Sequence, residues 1–297
     1  MDIVIYHANC WDGFCSAWLC RFAWPDAEFI PANYGWTPPD VTGKRVLIVD
    51  FSYKREVLLQ LKSQAASLEV LDHHETAQKE LEGLDFCTFD LNKSGAGLTW
   101  DYLKERKLID LPADQFDMHW LPAYVQDRDL WRHSLPNTKE VNAAIRSYPL
   151  DWKVWDGLAN KIVPHLVIEG TAVVRYQNEV INNHLKHLDD IQIGEHHGKG
   201  CLCSFGKLWS ELMHEILDKN PEIEFALTWI NTQEGVRLYS IRSRQGGPHV
   251  GKLAESMGGG GHKHSAGFNF PFEERIIGQD VPVHTTPKRD GGRKSPV

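Results

Sequence analysis

Several short segments of this sequence carry side chains able to hold divalent cations, and each follows an apolar run. Leu68, Val70 and Leu71 precede Asp72, His73 and His74. Ile3 to Tyr6 precede His7, Asn9, Cys10, Asp12 and Gly13, while Arg45 to Val49 precede Asp50, Phe51 and Ser52. Tyr124 to Gln126 lead to Asp127, Arg128 and Asp129. Imidazole and carboxylate with little thiolate suit borderline to hard ions such as Mn²⁺, Mg²⁺, Co²⁺ or Zn²⁺. Two adjacent ions need a bridging carboxylate and several terminal ligands. His7, Asp12, Asp50, His73 and Asp127 could supply that set.

The elements that must position these groups are strands and the helices between them. In an open α/β sheet, ligands gather outside the carboxyl ends of the strands, so polar groups placed there face a site and not a core. The strand pattern Ile3–Tyr6 is followed by a loop, His7 to Gly13, in which Gly13 permits a tight turn, and then by a helix from Phe14 to Phe22. Pro31 to Gly43, with Pro38-Pro39, reads as an irregular connection. Strand Arg45–Val49, helix Arg55–Ala65 and strand Leu68–Leu71 follow in alternation, and Asp85–Phe89 reads as a further strand. Alternation of this kind predicts parallel crossovers and a doubly wound, mainly parallel sheet.

Ser94 opens a helix through Leu103, as an N-cap or as part of an anion-binding helix start. Asp114 to Trp131 read as helical around Phe116, Trp120 and Tyr124, and apolar positions from Asp151 to His187 recur at helical spacing. Beyond that point the pattern changes. Ile191–Ile193 and Cys201–Cys203 alternate like strands around a turn at Gly198 to Gly200, Leu208 to Leu217 read as a helix, and Phe225–Ile230 pairs with Val236–Ile241 as a hairpin. The predicted domains are residues 1–150, linker helices 151–189, a smaller α/β domain 190–275 and a disordered tail 276–297, with the active site in the cleft between the two domains.

The ordered set of a His-containing strand end, Asp50-Phe51-Ser52, Asp72-His73-His74 and a later Asp resembles the DHH phosphoesterase family. Ser240-Ile241-Arg242-Ser243, a short helix-like segment, then Gly258 to His262 and Ser265 to Phe268 resemble the DHH-associated C-terminal domain, so the likeness runs from Ile3 to Phe270. The resemblance implies an oligoribonuclease-like hydrolase with two divalent ions, Mn²⁺ first and Mg²⁺ or Co²⁺ as alternatives. It assigns His7, Asp12, Asp50, His73 and Asp127 to the ions. On the residues' own chemistry Asp50 is the choice for the bridging ligand, His74 for contact with the phosphate or leaving group, and Asp72 for holding a histidine. The resemblance also implies that Arg242, Ser243, Gly259, Gly260, Gly261 and His262 bind the substrate away from the scissile bond. The first motif departs from the family pattern. Where members carry two aspartates, this chain has Asn9, Cys10 and Trp11 before a single Asp12, so one ion site is weaker or Asn9 or Cys10 replaces a ligand.

At 297 residues the chain suffices for two domains, each with its own core. A formal net charge of −8 argues against a grip on long nucleic acid through many phosphates, and leaves room for a short oligonucleotide or cyclic dinucleotide held by focused cations. No run reaches the roughly 18 apolar residues of a membrane span, and the chain enters a strand pattern at once, from which a cytoplasmic setting is expected. The six cysteines form no Cys-x-x-Cys pair and read as reduced thiols, with Cys10 set apart by its place in the first site loop. Trp11, in the same loop, is the tryptophan placed to stack on a base. The sequence leaves the oligomeric state open, a homodimer included. Competing readings are a phosphatase acting on 3′-phosphoadenosine phosphate or polyphosphate, and a nucleotide-binding protein without turnover.

Overall fold

The computed structural model describes residues 1–113, 117–203, 208–233 and 235–271. Phe116 and the 276–297 tail lie outside them. The chain divides into two compact units, Met1–Glu179 and Val180–Val297.

The first unit is built on a five-stranded parallel sheet of β1 (Ile3–His7), β2 (Glu28–Ala32), β3 (Arg45–Val49), β4 (Ser67–Asp72) and β5 (Cys87–Phe89), in the order β2-β1-β3-β4-β5. Alternate residues of its central strands enter two separate cores. Val4, Leu47, Val49 and Leu71 pack on one face, and Ile3, Ile5, Val46, Ile48, Leu68 and Val70 on the other. That is why these strands are continuously apolar instead of alternating. Helices α1 (Trp11–Ala23), α4 (Gly95–Glu105) and α5 (Trp120–Asp129) cover the first face, and Leu58 and Leu61 of α2 (Arg55–Gln64) cover the second. A short α3 (Glu75–Glu80) follows β4.

Three local expectations change. Helix α1 starts at Trp11, so Asp12 and Gly13 lie in its first turn. Gly13 is needed there for close approach, because a Cβ would lie 2.5 Å from the His7 carbonyl oxygen and 2.7 Å from the His7 Cβ. Only Pro31 and Ala32 of the stretch predicted as irregular belong to a strand, the last two residues of the edge strand β2, which tolerates Pro31 because an edge needs fewer ladder donors; residues 33–43 are irregular as expected. The predicted linker does not stand apart: Trp155 and Leu158 of α7 (Trp152–Ala159) and Leu166 of α8 (Val163–His184) are buried in the first core. Ahead of them lies α6 (Thr138–Ser147), whose Val141, Ala144 and Ile145 join the same core.

The second unit holds a six-stranded sheet, ordered β10-β11-β9-β8-β7-β6. Its strands are β6 (Asp189–Ile193), β7 (His196–Leu202), β8 (Phe225–Asn231), β9 (Val236–Ser243), β10 (Gly260–His262) and β11 (Ser265–Pro271), with helices α9 (Trp209–Lys219) and α10 (Val250–Ser256). The β8–β9 pairing is antiparallel, as the hairpin reading expects. The β6–β7 turn falls at Gly194, with φ of 61°, and not at Gly198 to Gly200. Those two glycines lie within β7, where a Cβ at Gly198 would meet the Phe225 ring at 2.4 Å and one at Gly200 the Leu227 carbonyl at 2.1 Å. No described helix is long and apolar enough to cross a membrane.

Candidate metal centre

Strand register brings the predicted groups to one edge of the first sheet. Tyr6 pairs with Val49 and Val49 with Leu71, so His7, Asp50 and Asp72 emerge level with one another. The chain runs outward from β1 in both directions, to β2 on one side and to β3 on the other, and ligands of doubly wound sheets bind at such a reversal.

Asp50 is at the centre. It is 1% exposed, has a left-handed φ of 55°, and neither carboxylate oxygen makes a hydrogen bond of acceptable geometry. Oδ1 lies 3.1 Å from His73 Nε2, and Oδ2 lies 3.6 Å from His7 Nδ1. Burial works against its charge, but the two imidazoles outweigh that and hold the carboxyl well below its usual range. A buried anion in a strained backbone conformation, with each oxygen turned to a different ring, is the arrangement a bridging ligand requires.

Asp12 is fixed by the start of α4. Its Oδ1 accepts from Ser94 Oγ at 2.7 Å and Ala96 N at 3.0 Å, and its Oδ2 accepts from Gly95 N at 2.6 Å. The helix start expected to bind an anion thus binds this protein's own carboxylate, while Ser94 Oγ also caps the helix through Gly97 N. Burial, with Asp50 and Asp129 nearby, pushes the Asp12 carboxyl well above its usual range in the absence of a cation. Asp12 Oδ2 and Asp129 Oδ2 each lie 3.7 Å from His73 Nε2. Burial disfavours the charged His73 ring, but Asp50, Asp129 and Asp12 more than compensate and raise its pKa to about 10. Three carboxylates around one ring form a cage short of positive charge.

The predicted ligand Asp127 is not part of that cage. Its Oδ1 accepts from Ser134 N and Oγ at 2.9 and 2.5 Å, and its Oδ2 from Leu135 N at 3.2 Å, so it closes the turn after α5. Asp129, read from sequence as a salt-bridge partner at a helix end, is the residue that reaches His73. Two residues along a helix is about 200°, so the pair must point in nearly opposite directions. Periodicity around Trp120 and Tyr124 did not fix which one faced inward.

His74 is held differently. Its Nδ1 lies 2.6 Å from Asp72 Oδ1, which also accepts from His73 N, while Asp72 Oδ2 accepts from Ser52 Oγ at 2.5 Å. Asp72 is fully buried, and it raises the His74 pKa against the effect of burial. Asp72 therefore positions His74, and Ser52 positions Asp72.

Three donor sets share Asp50, one of them with Asp72 and His74. The other two lie on either side of its carboxylate. His7, Cys10 and Asp50 form one, and Asp12, Asp50 and His73 the other, with the ligand atoms of each set within 4.8 Å of one another. These donors, with Asp12, Asp50 and His73 buried, His7 and Cys10 half-buried, and the Asp50 oxygens lacking hydrogen bonds, fit divalent cations. Beside them, Arg128 and Arg146 line a cavity with Cys10, Trp11, Asp12 and Asp129. The Arg146 guanidinium lies 4.4 Å from the Trp11 ring centroid. Arg146 was missed from sequence because it lies in the unremarked α6, where only the Val141, Ala144, Ile145 spacing would have revealed a helix against the site.

In the second unit, Arg242, Ser265 and His262 lie in register across β9, β11 and β10, on one face of the sheet. Arg242 donates to Ser240 Oγ, the Ile241 carbonyl and Ser210 Oγ. The Ser243 hydroxyl donates to the Pro248 carbonyl at 2.7 Å and lies 2.9 Å from His264 Nδ1, which ties it to the loop before α10. Gly259 and Gly261 are required by hairpin packing. A Cβ at Gly259 would lie 2.1 Å from the Gly267 carbonyl, and one at Gly261 2.5 Å from the Ser265 carbonyl, while Gly260 pairs with Gly267.

No family model matches the chain. It is 29% identical over 304 residues to the uncharacterized protein R106 of Acanthamoeba polyphaga mimivirus, spanning 92% of this chain and 70% of that one. An exopolyphosphatase-related protein from Bacteroides fragilis superposes with a TM-score of 0.50 at 14% identity, covering 90% of this chain and 86% of its own. This likeness shows a shared α/β fold. A pGpG-specific phosphodiesterase from Vibrio cholerae gives a TM-score of 0.49 at 13% identity, over 92% of this chain and 94% of that chain.

Proposed function

We propose that this chain is a metal-dependent phosphoesterase of the DHH type, acting on short oligonucleotides or cyclic dinucleotides to release nucleoside monophosphates. The observation that carries the reading is Asp50: a buried carboxylate without a hydrogen bond, with His7 at one oxygen and His73 at the other. His7, Asp12, Asp50, His73 and Asp129 would hold two divalent ions, Mn²⁺ first. Bound there, the ions would polarise phosphoryl oxygens and lower the pKa of an attacking water.

The chain's own residues supply the rest. Gly95 and Ala96 amides and Ser94 keep Asp12 pointed into the site. Asp72 holds His74 through Nδ1, which favours the charged ring, and His74 would give a proton to the leaving oxygen. Arg128 and Arg146 offer positive charge for a phosphate beside the acids. Arg242 and His262 are proposed to bind the substrate away from the scissile bond, and the hairpin glycines and Ser243 to shape that surface.

The likeness in fold to an exopolyphosphatase-related protein supports a second reading, a phosphatase on polyphosphate or 3′-phosphoadenosine phosphate. Incubating the Mn²⁺-loaded chain with dinucleotides to pentanucleotides, cyclic dinucleotides and these two compounds separates the readings. Mononucleotide release from the short oligonucleotides or cyclic dinucleotides is expected. Preferential orthophosphate release would favour the second reading, and no turnover of any member by metal-loaded protein would overturn both.

A further inference from the structure

Two of the donor sets that share Asp50 are chemically unlike. Asp12, Asp50 and His73, with Asp129 beside them, present mostly oxygen, while the set on the other side of Asp50 contains a sulfur. His7, Cys10 and Asp50 bring a ring nitrogen, a thiol sulfur and a carboxylate oxygen within 4.8 Å of one another. Strand and helix geometry fix all three: His7 ends β1, Cys10 is the N-cap residue of α1, and Asp50 follows β3. Asn9, the other residue considered for the missing acid, is exposed, with a left-handed φ of 57°.

Cys10 is half-buried, and such a cysteine alone is most often a small apolar filler. Here two further features point to an ion. The Asp50 Oδ2 and the His7 Nδ1 are both buried without a hydrogen bond, and they lie 3.6 Å apart. Buried polar atoms left in that state call for a partner, and a cation satisfies a carboxylate, an imidazole nitrogen and a thiolate together.

We propose that Cys10 is a metal ligand, and that His7, Cys10 and Asp50 form a site selective for a thiophilic ion such as Zn²⁺ or Co²⁺, beside an oxygen-rich Asp12/Asp50/His73 site suited to Mn²⁺ or Mg²⁺. This rests on the metal centre proposed above. Thiolate draws Zn²⁺ and related ions, whereas carboxylate-rich sets hold Mn²⁺ and Mg²⁺, so the centre takes two different metals. On binding, the Cys10 sulfur–hydrogen bond breaks, the sulfur keeps the electron pair for the metal bond, and the proton leaves to solvent.

The test uses the full chain, stripped of metal and reloaded with Zn²⁺, or separately with Co²⁺. X-ray absorption at the zinc edge is expected to show a sulfur neighbour at about 2.3 Å, and the Co²⁺ form a near-ultraviolet sulfur-to-cobalt charge-transfer band. Cys10→Ser, checked for its fold by circular dichroism, is expected to lose both signals and to weaken Zn²⁺ binding by at least about tenfold, as ligand-shell losses do. The wild-type spectrum decides the matter even if the variant fails to fold. Bound ions with only nitrogen and oxygen neighbours would overturn this proposal and leave the metal centre standing. Sulfur signals that persist in Cys10→Ser would place the ion elsewhere and also overturn it, while failure to bind any ion would overturn both.

Discussion

Gly95→Ala is the substitution that the geometry around Asp50 judges most severely. A Cβ at Gly95 would lie 2.3 Å from the Asp50 Cβ and 2.6 Å from Oδ1. Ordinary carbon contacts lie at about 3.5–4.0 Å, so Asp50 or the start of α4 must retreat by about 1 Å. Neither is free to do so, since Asp50 N donates to the Leu71 carbonyl at 2.9 Å and Gly95 N to Asp12 Oδ2 at 2.6 Å. Overpacking of a closed site costs about 1–3 kcal/mol, and a displacement of about 1 Å around reacting groups can lower a rate about 100-fold. Urea unfolding, calorimetric Mn²⁺ titration and turnover of a dinucleotide read the three consequences. The expected result is a folded protein less stable by that amount, with weakened ion binding and a kcat at least about 100-fold lower. Gly157→Ala in α7 is the control: nothing lies within 4 Å of the new methyl, and stability should hold or rise by up to about 1 kcal/mol. A Gly95→Ala protein that binds Mn²⁺ and turns over as wild type would refute the placement of Asp50 against α4.

The two acids of α5 should separate cleanly. Asp129→Asn is expected to weaken ion binding with little change in unfolding free energy, whereas Asp127→Ala should cost about 1–3 kcal/mol by leaving Ser134 and Leu135 donors unmet; denaturation beside calorimetry checks both. Because His73 is held protonated up to a pKa of about 10 without a cation, ion uptake near neutral pH should release protons and tighten as pH rises. Calorimetry in buffers of different ionisation enthalpy would show this, and uptake without proton release would contradict it. Asp72 raises the His74 pKa, so Asp72→Asn should lower it, and activity that needs the charged ring should then fail at lower pH. The basic limb of the kcat profile is expected to move downward in pH, and an unmoved limb would remove His74 as the proton donor.

Much of the first unit is written plainly in its sequence because parallel strands buried on both faces are runs of apolar residues, and each run ends where the chemistry starts. His7, Asp12, Asp50 and His73 come together as the motif order implies. What stayed hidden depended on rotation and contact instead of pattern. Asp127 and Asp129 differ by two helix positions, and only packing of α5 decides which one meets His73. Gly13 looked like a turn residue, and Gly95 drew no reading of its own beside the Ser94 cap, yet both are set by close approach, Gly13 to His7 and Gly95 to Asp50. In the second unit, Gly198, Gly200, Gly259 and Gly261 are explained by strands that pack too closely for a side chain, which sequence cannot distinguish from a phosphate-binding loop. The β2 strand was obscured by Pro31, and α6 by its short apolar stripe.

The central claim is that Asp50 is shared by two cations. Anomalous diffraction from crystals of the protein loaded with Mn²⁺ and Zn²⁺ measures this directly, since each ion appears as a peak whose ligands can be named. Two peaks about 3.5–4 Å apart are expected, one reached by Asp50 Oδ2 and His7 and the other by Asp50 Oδ1, His73 and Asp12. Fully loaded crystals with no peak within bonding distance of Asp50 would contradict the account.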